Sequence, residues 1–133
     1  AVFFFIEAPM PLERSEFLSQ LTNGSLNFAA AGDNTIIAAP GAGNRIHIVF
    51  LEYQNVSDTT LTCIHKSGST ALNGNGWKIT GNSTDGVGGS YVFEGMPGHR
   101  VMRLGINEAF VINLSAAKAC VGYVIYYIAP SGE

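Results

Sequence analysis

Charge is what this chain has least of. Asp, Glu, Lys and Arg make up 13% of its 133 residues, about half the roughly 25% of an ordinary globular domain. So little charge leaves little with which to clothe a solvated surface. Part of that surface is therefore expected to be covered by partners. The basic residues Arg14, Arg45, Lys66, Lys78, Arg100, Arg103 and Lys118 are scattered, and the net charge is −3. No basic run or stripe forms, which argues against direct nucleic-acid binding.

Long apolar runs are missing as well. Nothing approaches the roughly 18 residues of a membrane span, so no membrane partner is expected. The opening run from Ala1 to Ile6 is broken by Glu7 and Pro9 and has no basic residue before it. A signal sequence needs an apolar stretch of about 7–15 residues behind a positive start. Ala1 reads instead as a start from which an initiator Met was removed. Cysteine is nearly absent: Cys63 and Cys120 both lie in strand-like runs and read as two buried thiols. A disulfide would need a close, correctly aimed pair, which sequence does not specify.

What is abundant is a period of two. In RIHIVFLEYQ (45–54), Ile46, Ile48 and Phe50 alternate with His47, Val49, Leu51 and Tyr53. Both sets are apolar enough to be covered, so this reads as a central strand. TLTCIHK (60–66) sets Leu61, Cys63 and His65 against Thr60, Thr62, Ile64 and Lys66. EAFVINLS (108–115) puts Phe110, Ile112 and Leu114 on one face. CVGYVIYYIA (120–129) sets Val121, Tyr123, Ile125 and Tyr127 against Val124, Tyr126 and Ile128. SLNFA (25–29), NTIIAA (34–39), WKIT (77–80), SYVFEG (90–95) and RVMRLG (100–105) are shorter candidates.

Turn signals lie between them: NG at 23–24, GDN at 32–34, PGAGN at 40–44, SGS at 67–69, NGNG at 73–76, DGVGG at 85–89, PGH at 97–99 and GIN at 105–107. Short strands punctuated this often indicate an all-β fold, an antiparallel β-sandwich. About eight strands would make it jelly-roll-like. The expected division is an extended N-terminal arm, residues 1–24, and a sandwich domain, residues 25–133. PLERSEFLSQL (11–21) is the one helix candidate, partly periodic through Leu12, Phe17, Leu18 and Leu21.

Candidate chemistry is sparse. His47, His65 and His99 stand at no metal-like spacing, and Cys63 with His65 supplies two ligands where four are needed. Glu52 and Glu94 fall on strands and would be the pair for a glycosidase-like site. KSGST (66–70) offers a cation beside backbone N–H groups that could hold an anion, or simply a hairpin end. No nucleophile elbow, P-loop or dinucleotide fingerprint occurs. The reading is a protein that is not an enzyme, with no catalytic, metal or cofactor-binding residues and no cofactor. Sequons at Asn23, Asn55, Asn82 and Asn113 would matter only in an exported eukaryotic protein. Tyr123, Tyr126 and Tyr127 suit half-wet contact surfaces, or an aromatic row for a sugar.

The order of motifs from 41 to 128 resembles small β-sandwich virion proteins of tailed bacteriophages. The matching pieces are Ile46 and Ile48, KSGSTAL (66–72), NEAFVINLSAA (107–117) and VGYVIYY (121–127). They cover about two thirds of the chain and are structural motifs of turns and core alternation. Two positions depart from the pattern: Asn107 replaces a glycine before Glu108, and Tyr123 replaces the second glycine of a VGG step. The resemblance implies a non-enzymatic structural role. The first expectation is a capsid decoration, or cement, protein made in the host cytoplasm and placed on the capsid surface of the virion. It would bridge subunits of the major capsid protein and form a homodimer or homotrimer. A tail-fibre or receptor-binding module, possibly carbohydrate-binding, is the alternative.

The first 40 residues lie outside that pattern. AVFFFIE is β-prone and nearly uncharged, a hazard as a free edge. Pro9 and Pro11 prevent it from continuing as a regular element. The segment either folds back as an outer strand on its own sandwich or adds as a strand to a neighbour. The neighbour is the favoured reading, which makes Val2, Phe3, Phe4, Phe5, Ile6 and Leu12 the expected interface with a neighbouring subunit.

Overall fold

The computed structural model describes residues 21–81, 89–95 and 102–132. The interface residues Val2, Phe3, Phe4, Phe5, Ile6 and Leu12, residues 11–20 of the helix candidate, Asn82 and His99 lie outside them. The described residues form ten strands and no helix. In chain order these are β1 (Thr22–Phe28), β2 (Gly32–Ile37), β3 (Asn44–Asn55), β4 (Leu61–Ser67) and β5 (Thr70–Ala71). They continue with β6 (Trp77–Ile79), β7 (Ser90–Glu94), β8 (Met102–Arg103), β9 (Phe110–Leu114) and β10 (Cys120–Pro130). The NG at 23–24 is not a turn. Both residues lie inside β1, opposite Ile125 and Val124 of β10, so the sheet already begins at Thr22.

Two antiparallel sheets pack face to face. Sheet A runs β1-β10-β3-β7, with β8 also on β3; sheet B runs β2-β9-β4-β5, with β6 also on β4. β7 and β8 take successive stretches of the same edge of β3, and β5 and β6 do the same on β4. Counted as interrupted strands, these pairs reduce ten elements to eight. The first strand then lies beside the last, and the second beside the seventh. That is the connectivity of a jelly roll.

The core follows from the alternation. β4 buries Leu61, Cys63, His65 and Ser67, and β9 buries Phe110, Ile112 and Leu114, as their spacing predicts. From sheet A come Leu26, Ile46, Ile48, Leu51, Tyr53 and Val124. β3 departs from the simple two-residue reading. Ile125 pairs with Phe50 but Tyr126 pairs with Ile48, so Val49 is an extra residue. This bulge reverses the parity of everything after it. Ile46 and Ile48 face inward before it; Leu51 and Tyr53 face inward after it. Phe50, expected beside Ile48, is turned to the outer side.

At Gly122 the backbone of β3 leaves β10 no room for a side chain. A Cβ there would meet the Glu52 carbonyl oxygen and stand 2.5 Å from Tyr53 Cα. Only glycine fits. The neighbouring Tyr123 points outward, where a side chain has room, so that departure from the VGG pattern costs the fold nothing. Asn107 has φ 53°, in the left-handed region that favours glycine and, after it, asparagine. Its side chain adds a tie glycine cannot make: Gly41 N–H donates to Asn107 Oδ1 at 2.9 Å.

Candidate functional site

The outward sides of the two sheets differ. On sheet B, β2, β9 and β4 present Asp33, Thr35, Asn113, Thr62 and Lys66 in register. Lys66 Nζ donates to both carboxylate oxygens of Asp33, at 3.1 and 3.2 Å. Asn113 Nδ2 donates to Asp33 Oδ1 at 2.7 Å. These two donors hold the Asp33 carboxyl below its ordinary range. Val111 lies under this polar cover and is buried.

On sheet A, β10 presents Val121, Tyr123 and Ile125, β3 presents Phe50, Glu52 and Gln54, and β7 presents Val92 across Glu52 from Tyr123. Val92 is 50% exposed, Tyr123 43% and Val121 36%. Tyr123 stacks on Phe50 with ring centroids 5.2 Å apart and planes 22° apart. An open groove runs beside this stack, lined by Asn23, Ser25, Gly122, Tyr123 and Ile125. Further along, His47 and Tyr127 stack at 4.7 Å. Exposed apolar residues placed together in this way mark a contact surface more often than singly scattered ones do. Tyrosine is the residue type most at home there.

The candidate catalytic groups take other roles. Glu52 and Glu94 share the outer side of sheet A, on neighbouring strands and adjacent rows. Glu94 is exposed and Glu52 half-buried, so neither is enclosed in a cleft. The possible anion site at KSGST is filled by the chain itself. Ser67 Oγ donates to Glu108 Oε1 at 2.5 Å and accepts from Gly105 N–H at 2.8 Å. Gly68 N–H donates to the Ala109 carbonyl at 2.8 Å, and Lys66 is engaged by Asp33. Among the described residues no group of three or more His, Cys, Asp or Glu could hold a metal ion.

Cys63 and His65 do share a face, but it is the core face. His65 Nε2 lies 2.7 Å from Tyr53 Oη, joining sheet B to sheet A. Rings of Tyr91 and Phe110 stand at 4.5 and 6.0 Å around the imidazole. Burial holds His65 down at about 4 and raises the Tyr53 phenol, so both are neutral at pH 7.

Asn55, one of the four sequons, is fully buried. Its Nδ2 donates to the carbonyls of Thr59 at 2.7 Å and Ile79 at 3.1 Å. Its Oδ1 accepts from Ser57 N–H and Oγ at 3.0 and 2.7 Å. The side chain ties the β3–β4 corner to β6 and has no free amide for a glycan. Comparison with models of known protein families finds no match, and no curated protein matches the chain significantly.

Proposed function

We propose that this chain is a non-enzymatic structural subunit of a tailed-phage virion, a capsid decoration protein that cements the shell from outside. The observation that carries the reading is the set of exposed apolar residues Val92, Val121 and Tyr123 on the outer side of sheet A, interleaved with Glu52 and Gln54. The outer side of sheet B carries the Asp33, Lys66 and Asn113 polar cluster instead. A jelly-roll body with exposed apolar residues set among polar ones on one side suits a subunit whose stability is realised in an assembly. Burying such a surface contributes roughly 25 cal/mol per Å² of apolar area removed from water. The motif order of KSGSTAL, NEAFVINLSAA and VGYVIYY supports the same reading through its resemblance to phage virion proteins.

In this reading the partners are the major capsid protein and further copies of the chain, as a dimer or trimer. The segment carrying Val2, Phe3, Phe4, Phe5, Ile6 and Leu12 reaches a neighbour. The test is to add purified protein to genome-free phage shells and follow binding and shell melting. Saturable binding with a raised melting temperature is expected. No binding and no shift would overturn the proposal. Removing residues 1–8 should leave the domain folded and weaken binding.

One observation favours a second reading, a receptor-binding module. Tyr123 is propped flat on Phe50 beside polar Asn23 and Ser25, an arrangement on which a sugar ring could stack. Glycan-array binding by the isolated protein, without shell binding, would select it.

A further inference from the structure

Both cysteines are fully buried, and neither is in a disulfide. They come from opposite sheets: Cys63 from β4, beside Leu114 and Trp77, and Cys120 from β10, beside Phe28 and Asn55. Tyr53 locates one against the other. Its ring meets Phe28, the strand partner of Cys120, at 5.4 Å. Its hydroxyl meets His65, the next inward residue after Cys63 on β4, at 2.7 Å. The two thiols thus enter the same core cluster from its two walls. Each of the two thiols bears on the titration of the other, and Tyr53 bears on that of Cys63. The Tyr53–His65 pair, joined across the sheets, lies in the same cluster beside them.

We propose that Cys63 and Cys120 are a latent cross-sheet disulfide, open while the protein is in a reducing cytosol and closed when it meets a disulfide oxidant such as oxidised glutathione. This does not depend on the virion reading. A thiolate of the pair attacks the glutathione disulfide, forms a mixed disulfide and expels one glutathione thiolate. The second cysteine, as thiolate, attacks the protein-bound sulfur and expels the other. Two protein thiols lose two electrons, glutathione disulfide gains them, and the two released protons end on the two glutathione thiols. The neighbouring Cys63 sulfur and burial push the Cys120 thiol up, which favours Cys63 as the first attacker. Burial also means that closure waits for transient opening of the sandwich, so it should be slow and should accelerate in mild denaturant.

The bond would close a loop of more than fifty residues and join two sheets that hydrogen bonds do not link strand to strand. A loop of that length predicts a rise in Tm on the order of 10 °C. The experiment holds the full chain in glutathione redox buffers with urea below the unfolding midpoint. It then reads intact mass, non-reducing peptide maps and Tm. Expected are loss of two hydrogen atoms, a single linked peptide pair joining Cys63 to Cys120, a higher Tm, and reversal by dithiothreitol. Persistence of two free thiols, glutathione adducts only, bonds between chains, or a linked form that melts lower would each overturn the proposal. Cys63→Ala and Cys120→Ala, where folded, should show no oxidant-dependent Tm; a shift equal to the parent's would also overturn it.

Discussion

On the outward side of sheet A a half-exposed tyrosine lies flat on a phenylalanine. On the outward side of sheet B a lysine reaches across a strand to an aspartate that also takes an amide hydrogen bond. The two sides are built from the same alternating strands over one core, so folding alone does not require them to differ. Sheet B carries a polar cluster over its outer side, where Val111 is buried and Ile64 half-buried. Sheet A sets exposed Val121, Tyr123 and Val92 among Glu52, Gln54 and Glu94 instead. The difference teaches that one core does not dictate what the outward positions carry. Residues facing inward hold the sandwich, while Val92, Val121 and Tyr123, facing outward on sheet A, stay a third or more exposed.

The strongest way to break this comparison is to damage the seam of sheet A itself. Gly122→Ala would put a methyl group against the Glu52 carbonyl and 2.5 Å from Tyr53 Cα. Both atoms are backbone, so strands β10 and β3 must separate. A loss of about 3 kcal/mol or more is expected in urea unfolding. Tyr123→Gly, one residue on, should cost about 1 kcal/mol, the usual penalty of glycine within a strand. Equal effects at the two positions would mean that the close approach does not govern the site.

Acid should act next most strongly, and from sheet B. His65 has its pKa lowered by burial from 6.5 to about 4. The unfolded chain therefore takes up the proton first. The stability at stake is fully present above the unfolded value of 6.5. It declines as pH falls from there toward 4, by about 3 kcal/mol in all. Urea midpoints measured across that range should show the decline, and His65→Gln should flatten it. An unchanged slope in the variant would assign the acid sensitivity elsewhere.

Much of this was legible in the alternation. The inward sets of β4 and β9 and both faces of β10 stand in the sequence as period-two patterns, because those strands are regular. β3 was legible only to Ile48. Its bulge at Val49 is a backbone event, and valine carries no mark of it. The side of the sheet for Phe50, Leu51 and Tyr53 therefore had to come from register. The NG at 23–24 has a turn's composition, but pairing with β10 overrides local preference. Tyr123 stood out by residue type alone; Val92 and Phe50 did not, since they share its side of the sheet only through cross-strand register. The meeting of His65 with Tyr53 and the convergence of Cys63 and Cys120 on one core cluster need the sheet order, which no local pattern contains. Asn107 was the clearest trace: a position where the resembling pattern has glycine proved to need positive φ.

The comparison sharpens when the outer sides are changed separately. Val92→Thr, Val121→Thr and Tyr123→Ser together should leave the urea midpoint within about 1 kcal/mol of the parent, since all three are a third or more exposed. Binding to genome-free shells should fall at least tenfold, about 1.4 kcal/mol. Thr35→Lys and Lys78→Ser on the outer side of sheet B should change neither. Similar losses of shell binding from both sides would remove the distinction.

The smallest effect belongs to the polar cover of sheet B. Asp33 is about half exposed, its side chain at 52%, yet Asn113 and Lys66 both donate to it and hold its carboxyl below the ordinary 3.8. A carboxylate lowered in the folded state stabilises above the unfolded pKa and ceases to do so as pH falls through the folded value. Asp33→Asn should therefore be slightly less stable than the parent at pH 7, with the gap closing below pH 3.8. It should also narrow in high salt, because a solvent-facing pair is screened. His65 titrates in a higher window, so the double variant with His65→Gln isolates the Asp33 effect. A gap that persists through acid and salt would make Asp33 a packing residue over Val111 rather than a charge, and sheet B's polar side would then be a cover in shape alone.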